Sequence, residues 1–408
     1  MTVRMPPAST TITAPLYDLP SSAFIILTAQ NNNGKSRQIG RAISARVPGT
    51  DRPAVAPCLL LMAEASGEGT LGDVIGDPSL VMPWGVTTCD EAIEVLRLVF
   101  PEGRAPLTLR ECWKANVEWH KKHGRTAVDP HAADMMERAL RGPTADTIIR
   151  SLAVDSITTL HLGQMGWIRD LAIREAQRVG KHGTSGKDLA NDRKRQAGLA
   201  AGPAESLTNM LSGIAVRHRG MLVMVACHTR AQTEVTIVGT DEHGRGGEKV
   251  ETVVGEAPDF GAPKGVRAGC FATGYGAPWM HLHAKATAVW HLFATTPKLQ
   301  TTSLADINSG DVSVKFGAIT MRGTYPGLGQ VGWPKRQGSA SRGWLSWFDT
   351  LPPYWHPEAS WPDQAAFVEQ ARAAGCHSAE TYAGGPDLGL VLEVCLAQHQ
   401  ANARAAEG

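Results

Sequence analysis

The stretch AFIILTAQNNNGKSRQIGRAIS, residues 23–44, decides how the chain is read. Ala23–Thr28 is a short apolar run of the kind that forms a buried strand. A polar loop follows, and from Ser36 to Arg46 the residues are basic and compatible with a helix. The loop AQNNNGKS, Ala29–Ser36, fits the template [A/G]-x-x-x-x-G-K-[S/T]. In that template successive backbone N–H groups point inward at phosphates. Lys35 reaches the β- and γ-phosphates, and Ser36 offers a hydroxyl to magnesium. A chance G-K-S in a surface loop is the competing reading. The strand before it and the helix after it decide for phosphate. Ala29 stands where glycine is usual, so that turn must suit a residue with a Cβ. Asn31, Asn32 and Asn33 tolerate left-handed backbone better than most residues do. The expected nucleotide contacts are Ala29, Gln30, Asn31, Asn32, Asn33, Gly34, Lys35, Ser36 and Arg37. The expected cofactors are ATP and Mg2+.

Working outward, the same strand-then-helix texture recurs. Cys58–Ala63 is a second apolar strand, ending at Glu64, with helices expected near 90–99, 107–122 and 130–141. Thr147–Val154 is a third, ending at Asp155, followed by a helix near 160–178. Residues 179–203 are basic and Gly-rich and read as a loop; a helix at 204–218 then leads to the strand Met221–Ala226. Strands without polar alternation, separated by helices, predict a mostly parallel sheet covered on both faces. Beyond residue 230 a hairpin is expected around 235–254, with further strands in 281–294 and 312–322. This gives an N-terminal arm (1–22) and an α/β core (23–334) carrying a helical insertion (about 78–141) and a β-rich part (about 230–330). A linker and helical C-terminal extension (335–408) complete the chain.

The strand ends carry the chemistry, because ligands sit at the carboxyl edge of such sheets. Asp155 is placed to orient magnesium or hold Ser36; the plainer role is a helix cap. Glu64 is placed to position and deprotonate the attacking water, provided its strand lies beside the phosphate-loop strand. Glu68 competes for that role. His228 can sense the γ-phosphate, or can simply cap its strand. His281, His283 and His291 with Cys270 lack the spacing of a zinc site.

In this order the phosphate loop, Glu64, VDSIT with Asp155 and VACH with His228 resemble the RecA-like P-loop ATPases encoded by bacteriophages. Single-strand annealing ATPases and related phage nucleotide-binding proteins belong to that group. The resemblance covers about residues 20–330 at the level of motifs. It implies a RecA-like core that hydrolyses ATP between neighbouring subunits of a ring or filament. It implies a single-stranded DNA partner in recombination, annealing or repair, and a single-strand-binding protein as a further partner. The DNA contacts it implies are Lys181, Lys187, Arg193, Lys194 and Arg195 in one loop, and Arg230, with Arg245 and Lys249, in the next. It also implies a basic finger from a neighbour, Arg322 or Lys315. The long 78–141 segment and the Trp-rich tail depart from the small phage members. A ring-forming helicase or translocase, or an ATPase or kinase working without DNA, are the alternatives.

Composition narrows the classes. The net charge of +1 supplies no global field for nucleic acid, so DNA contacts must be local. Seven cysteines without a C-x-x-C pair fit a reducing cytoplasm, the host's for a phage protein, rather than a disulfide scaffold. The opening residues lack the order of a secretory signal, and no apolar run is long enough to span a bilayer. No membrane partner is expected.

Overall fold

The computed structural model describes residues 19, 22–29, 34–63, 71, 74–124, 130–178, 193–228, 233–238, 248–253, 285–286, 288–295, 315–320, 354–355, 364–382 and 386–407. Its centre is an 8-stranded sheet. The strands are β1 (Ala23–Ala29), β2 (Cys58–Met62), β3 (Val81–Gly85), β4 (Ser151–Asp155), β5 (Leu222–His228), β8 (Ala288–Thr295), β9 (Lys315–Thr320) and β10 (Tyr354–Trp355). They lie in the order β10-β9-β8-β1-β5-β4-β2-β3. Every pairing from β8 across to β3 is parallel. β9 and β10 close one edge antiparallel. β6 (Thr233–Val238) and β7 (Glu248–Val253) form a separate antiparallel hairpin. The fold is therefore α/β with a mostly parallel sheet.

The helices are α1 (Lys35–Ser44), α2 (Cys89–Val99), α3 (Leu109–Lys122), α4 (Pro130–Arg141), α5 (Ile157–Arg178), α6 (Arg193–Arg217), α7 (Gln364–Ala373), α8 (His377–Glu380) and α9 (Leu388–Glu407). They cover the sheet on both sides, and the period-2 geometry of β1 assigns each side chain to one of them. Phe24 and Ile26 join Val95, Leu96, Leu160, Leu207 and Leu211 from α2, α5 and α6. Ile25 and Leu27 join Ile39 and Ile43 of α1 and Leu388, Val391 and Leu392 of α9. Each such side chain contributes about 1.5–3 kcal/mol by leaving water.

Several helix starts follow from local chemistry. Thr108 and Glu111 form a capping box at α3, each bonding the other's backbone N–H. Thr88 caps α2 by accepting from Glu91 N.

Two expectations change. The 78–141 segment is not helical throughout, because Val81–Gly85 adds strand β3 to the sheet edge. Pro83 suits an edge strand, where a missing N–H leaves no ladder bond unmade on the open side. The loop expected over 179–203 is helical from Arg193, where α6 begins, and α6 runs through Pro203. Its alanines favour helix. In the C-terminal extension, α9 packs into the same core as α1. Among the described residues, no helix is long and apolar enough to cross a membrane.

Candidate functional site

The turn from β1 into α1 is built around Gly34, the residue preceding the helix, whose backbone is left-handed at φ 83°. That conformation costs a Cβ-bearing residue about 1 kcal/mol or more. Glycine has no side chain to cap the helix, and the first turn of α1 carries no acid. The amides of that turn and the positive end of the helix dipole therefore face the loop.

Lys35 is buried, and its Nζ donates to the carbonyl of Ala29 at 3.4 Å. Ser36 Oγ donates to Asp155 Oδ2 at 2.6 Å, joining the start of α1 to the end of β4. Asp155 is 7% exposed. The peptide bond between Asp155 and Ser156 is cis. Ser36 Oγ and Asp155 Oδ2 are hard oxygen donors on one side of the loop, the donor chemistry that suits Mg2+.

β5 separates the lysine strand from the acid strand. Ala29 lies opposite His228 in the β1–β5 register, so His228 ends its strand beside the loop. Its N–H donates to Thr158 Oγ1 at 3.0 Å. Cys227 lies opposite Thr28; burial pushes its thiol up to about 12 against the opposing pull of the Lys35 charge, so it stays neutral there.

β2 is not the neighbour of β1, and the condition attached to Glu64 fails in that form. β2 lies beside β4 instead, with Met62 opposite Asp155 and Ala63 N donating to Asp155 O at 2.8 Å. The chain leading to residue 64 thus departs next to the acid rather than next to the phosphate loop.

The structure brings together Ala29, Gly34, Lys35, Ser36, Asp155 and His228. Arg37 is exposed on the first turn of α1. Gln30, Asn31, Asn32, Asn33, Glu64, Glu68, Lys181, Lys187, Arg230, Arg245 and Arg322 lie outside the described residues, as do Cys270, His281 and His283. Arg193, Lys194 and Arg195 open α6, with Arg195 exposed, while Lys249 lies in β7 and Lys315 in β9. His291 lies opposite Thr28 in β8.

Sequence reasoning missed two features. Thr158 stands third after Asp155, and its hydroxyl was the only available signal. Gln38 and Arg41, on the buried side of α1, hold the start of α9. Gln38 Nε2 donates to Pro386 O at 2.8 Å, and Arg41 lies 3.0 Å from Asp387 Oδ2. Nothing in the sequence pairs positions so far apart.

The chain matches no model of a known protein family and no curated protein.

Proposed function

We propose that this chain is a RecA-like P-loop ATPase that binds Mg–ATP at the β1–α1 turn and acts on single-stranded DNA in recombination, annealing or repair. The observation that carries the nucleotide site is the Ser36–Asp155 hydrogen bond of 2.6 Å across the turn, with Lys35 buried beside it. The two oxygens that would hold magnesium come from different elements, the start of α1 and the end of β4, and already meet.

In this reading the amides at the start of α1 cradle the phosphates. Lys35 leaves the Ala29 carbonyl for phosphate oxygens, where its charge offsets the negative charge of the transferring group. Ser36 and Asp155 would hold the metal, which would supply positive charge against the phosphate oxygens. Glu64, next in sequence after the Ala63 whose N–H donates to Asp155 O, is the proposed base for water. His228, at the end of the intervening strand, is the proposed sensor of the γ-phosphate. Arg322 or Lys315 from a neighbouring subunit is the proposed finger.

The DNA part rests on the basic start of α6 at Arg193–Arg195 and on the segments that follow β5. A basic surface can track a phosphate backbone without reading bases.

The test is ATP hydrolysis with and without single-stranded DNA, for wild type and Lys35→Ala. Stimulation by DNA that disappears in Lys35→Ala supports the whole reading. Hydrolysis indifferent to DNA moves the function to an ATPase or kinase working without it. DNA-driven unwinding or directional movement moves it to a ring motor.

A further inference from the structure

β5 runs on past its last partner in β4. The β4–β5 register ends at Val154 opposite Val225, while β1 stays paired with β5 as far as Ala29 opposite His228. On the β4 side, the first turn of α5 takes over. Ser156 Oγ accepts from Thr159 N at 3.3 Å and fixes that turn. Thr158, 2% exposed, turns its hydroxyl oxygen to the His228 N–H at 3.0 Å.

The contacts around the loop then form a closed ring. Lys35 Nζ meets the Ala29 carbonyl, and Ala29 lies opposite His228. His228 N meets Thr158, which follows Asp155 by one short turn. Asp155 meets Ser36, the neighbour of Lys35 in sequence. Thr158 joins the strand end of His228 to the turn carrying Asp155.

We infer that Thr158 is a positioning residue that couples His228 to the metal-holding turn. The inference rests on the ATP-site reading and deepens it. Thr158 fixes where His228 stands relative to Asp155. A shift of the α5 turn when Asp155 takes up its ligand is passed to His228 through this partly buried bond. Hydrogen bonds of this kind transmit position because losing one leaves an N–H unsatisfied. A purely structural role is the alternative: Thr158 would then only satisfy a partly buried amide.

The experiment uses the full chain, with Thr158→Val, which keeps the shape and removes the oxygen acceptor, and Thr158→Ser, which keeps the acceptor. ADP affinity is measured by calorimetry, and KM and kcat by ATP hydrolysis. Thr158→Val is expected to keep ADP affinity and KM within about twofold while kcat falls on the order of tenfold, as misplaced groups cost catalysis more than binding. Thr158→Ser recovers most of kcat. In a double-mutant cycle, adding Thr158→Val to His228→Ala costs little more than His228→Ala alone, because the two act as one unit. Unchanged kcat in Thr158→Val, equal changes in KM and kcat, or additive losses in the cycle overturn the inference. Should the valine variant unfold below the assay temperature, Thr158→Ala carries the same readouts. Failure of the ATP reading looks different: the wild type then neither binds ADP nor hydrolyses ATP, and the inference falls with it.

Discussion

Gln38 holds Leu388 across the whole length of the chain: its side-chain oxygen accepts the Leu388 backbone N–H at 2.9 Å. Its nitrogen donates to Pro386 O at 2.8 Å, so one amide clamps the entry to α9 from both sides. One turn further along α1, Arg41 bonds Pro386 O at 2.7 Å and pairs with Asp387. Gly389 completes the join, because a Cβ there would lie 2.5 Å from the Arg41 carbonyl oxygen. The helix that opens at the candidate phosphate loop is therefore fixed along its buried side by the C-terminal helix.

Loss of this clamp is expected to lower stability. Gln38→Leu leaves the Leu388 N–H buried without its acceptor, which costs about 1–3 kcal/mol. Gly389→Ala forces α9 off α1 and costs a similar amount, about 1–3 kcal/mol, by overpacking. Urea unfolding of the full chain measures both. A Gly389→Ala midpoint equal to wild type would mean that the two helices are not in backbone contact.

This clamp also marks where the sequence stopped being informative. The apolar run of β1 and the G-K-S turn identify a strand, a loop and a helix because period and motif are local. α3 was legible for the same reason, as a local helix-compatible stretch near 107–122. β3 was not, because VMPWG is short, contains Pro83, and gains its strand character only from lying beside β2. The start of α6 was hidden by Gly198, Gly202 and Pro203, which read as loop residues until packing against α2 and α5 outweighs them. At the site, the G-K-S motif marked Lys35 and Ser36 and strand-end placement marked Asp155, three residues that the structure brings together. The neighbourhood of β1 and β2, on which the reading of Glu64 was conditional, was not legible because strand order is a tertiary fact, and β5 and β4 enter between them.

Glu393 gives a stability test through pH. It lies buried in α9 and accepts from Arg46 N at 2.8 Å, Ser378 N at 2.7 Å and Ser378 Oγ at 2.9 Å. Burial pushes its carboxyl above the ordinary 4.5, and these hydrogen bonds only partly oppose it. The folded state therefore holds the proton more tightly than the unfolded one. The stability this contributes is fully present below the unfolded value near 4.5 and is lost as pH rises through the folded value. Asp387 shifts in the same direction, so Glu393 must be isolated by difference. Relative to Glu393→Gln, wild type is expected to lose stability as pH rises through this window in urea titrations. A rising difference would mean that the hydrogen bonds outweigh burial.

Gly163 in α5 tests how the acid-bearing side of the sheet is packed. A Cβ at this position would meet the Thr87 carbonyl oxygen at 1.9 Å, in the turn between β3 and α2. Backbone on both sides cannot yield cheaply, so Gly163→Ala is expected to cost about 2–3 kcal/mol. Gly166, one turn along the same helix, has no atom within 4 Å of its ideal Cβ. Gly166→Ala is expected to gain up to about 1 kcal/mol from helix propensity alone. Thermal unfolding of the pair reads the difference, and equal midpoints would sink the proposed close approach of α5 to that turn.

The site itself is tested by separating metal from nucleotide. Asp155→Asn keeps an oxygen for Ser36 but removes the charge that favours a divalent cation. Ser36→Ala removes the hydroxyl partner and leaves the charge. Both are expected to lower ATP hydrolysis on the order of a hundredfold, the scale seen when one preorganised charge-stabilising group is lost. They should differ in their response to magnesium. Asp155→Asn is expected to need higher Mg2+ for half-maximal rate, and Ser36→Ala to shift that requirement less, because charge dominates the attraction of a hard cation. In neither variant should metal-free ADP binding be lost, since Lys35 and the α1 amides remain. If Asp155→Asn instead hydrolyses ATP at the wild-type rate with the same Mg2+ requirement, Asp155 caps the turn and the metal is held elsewhere.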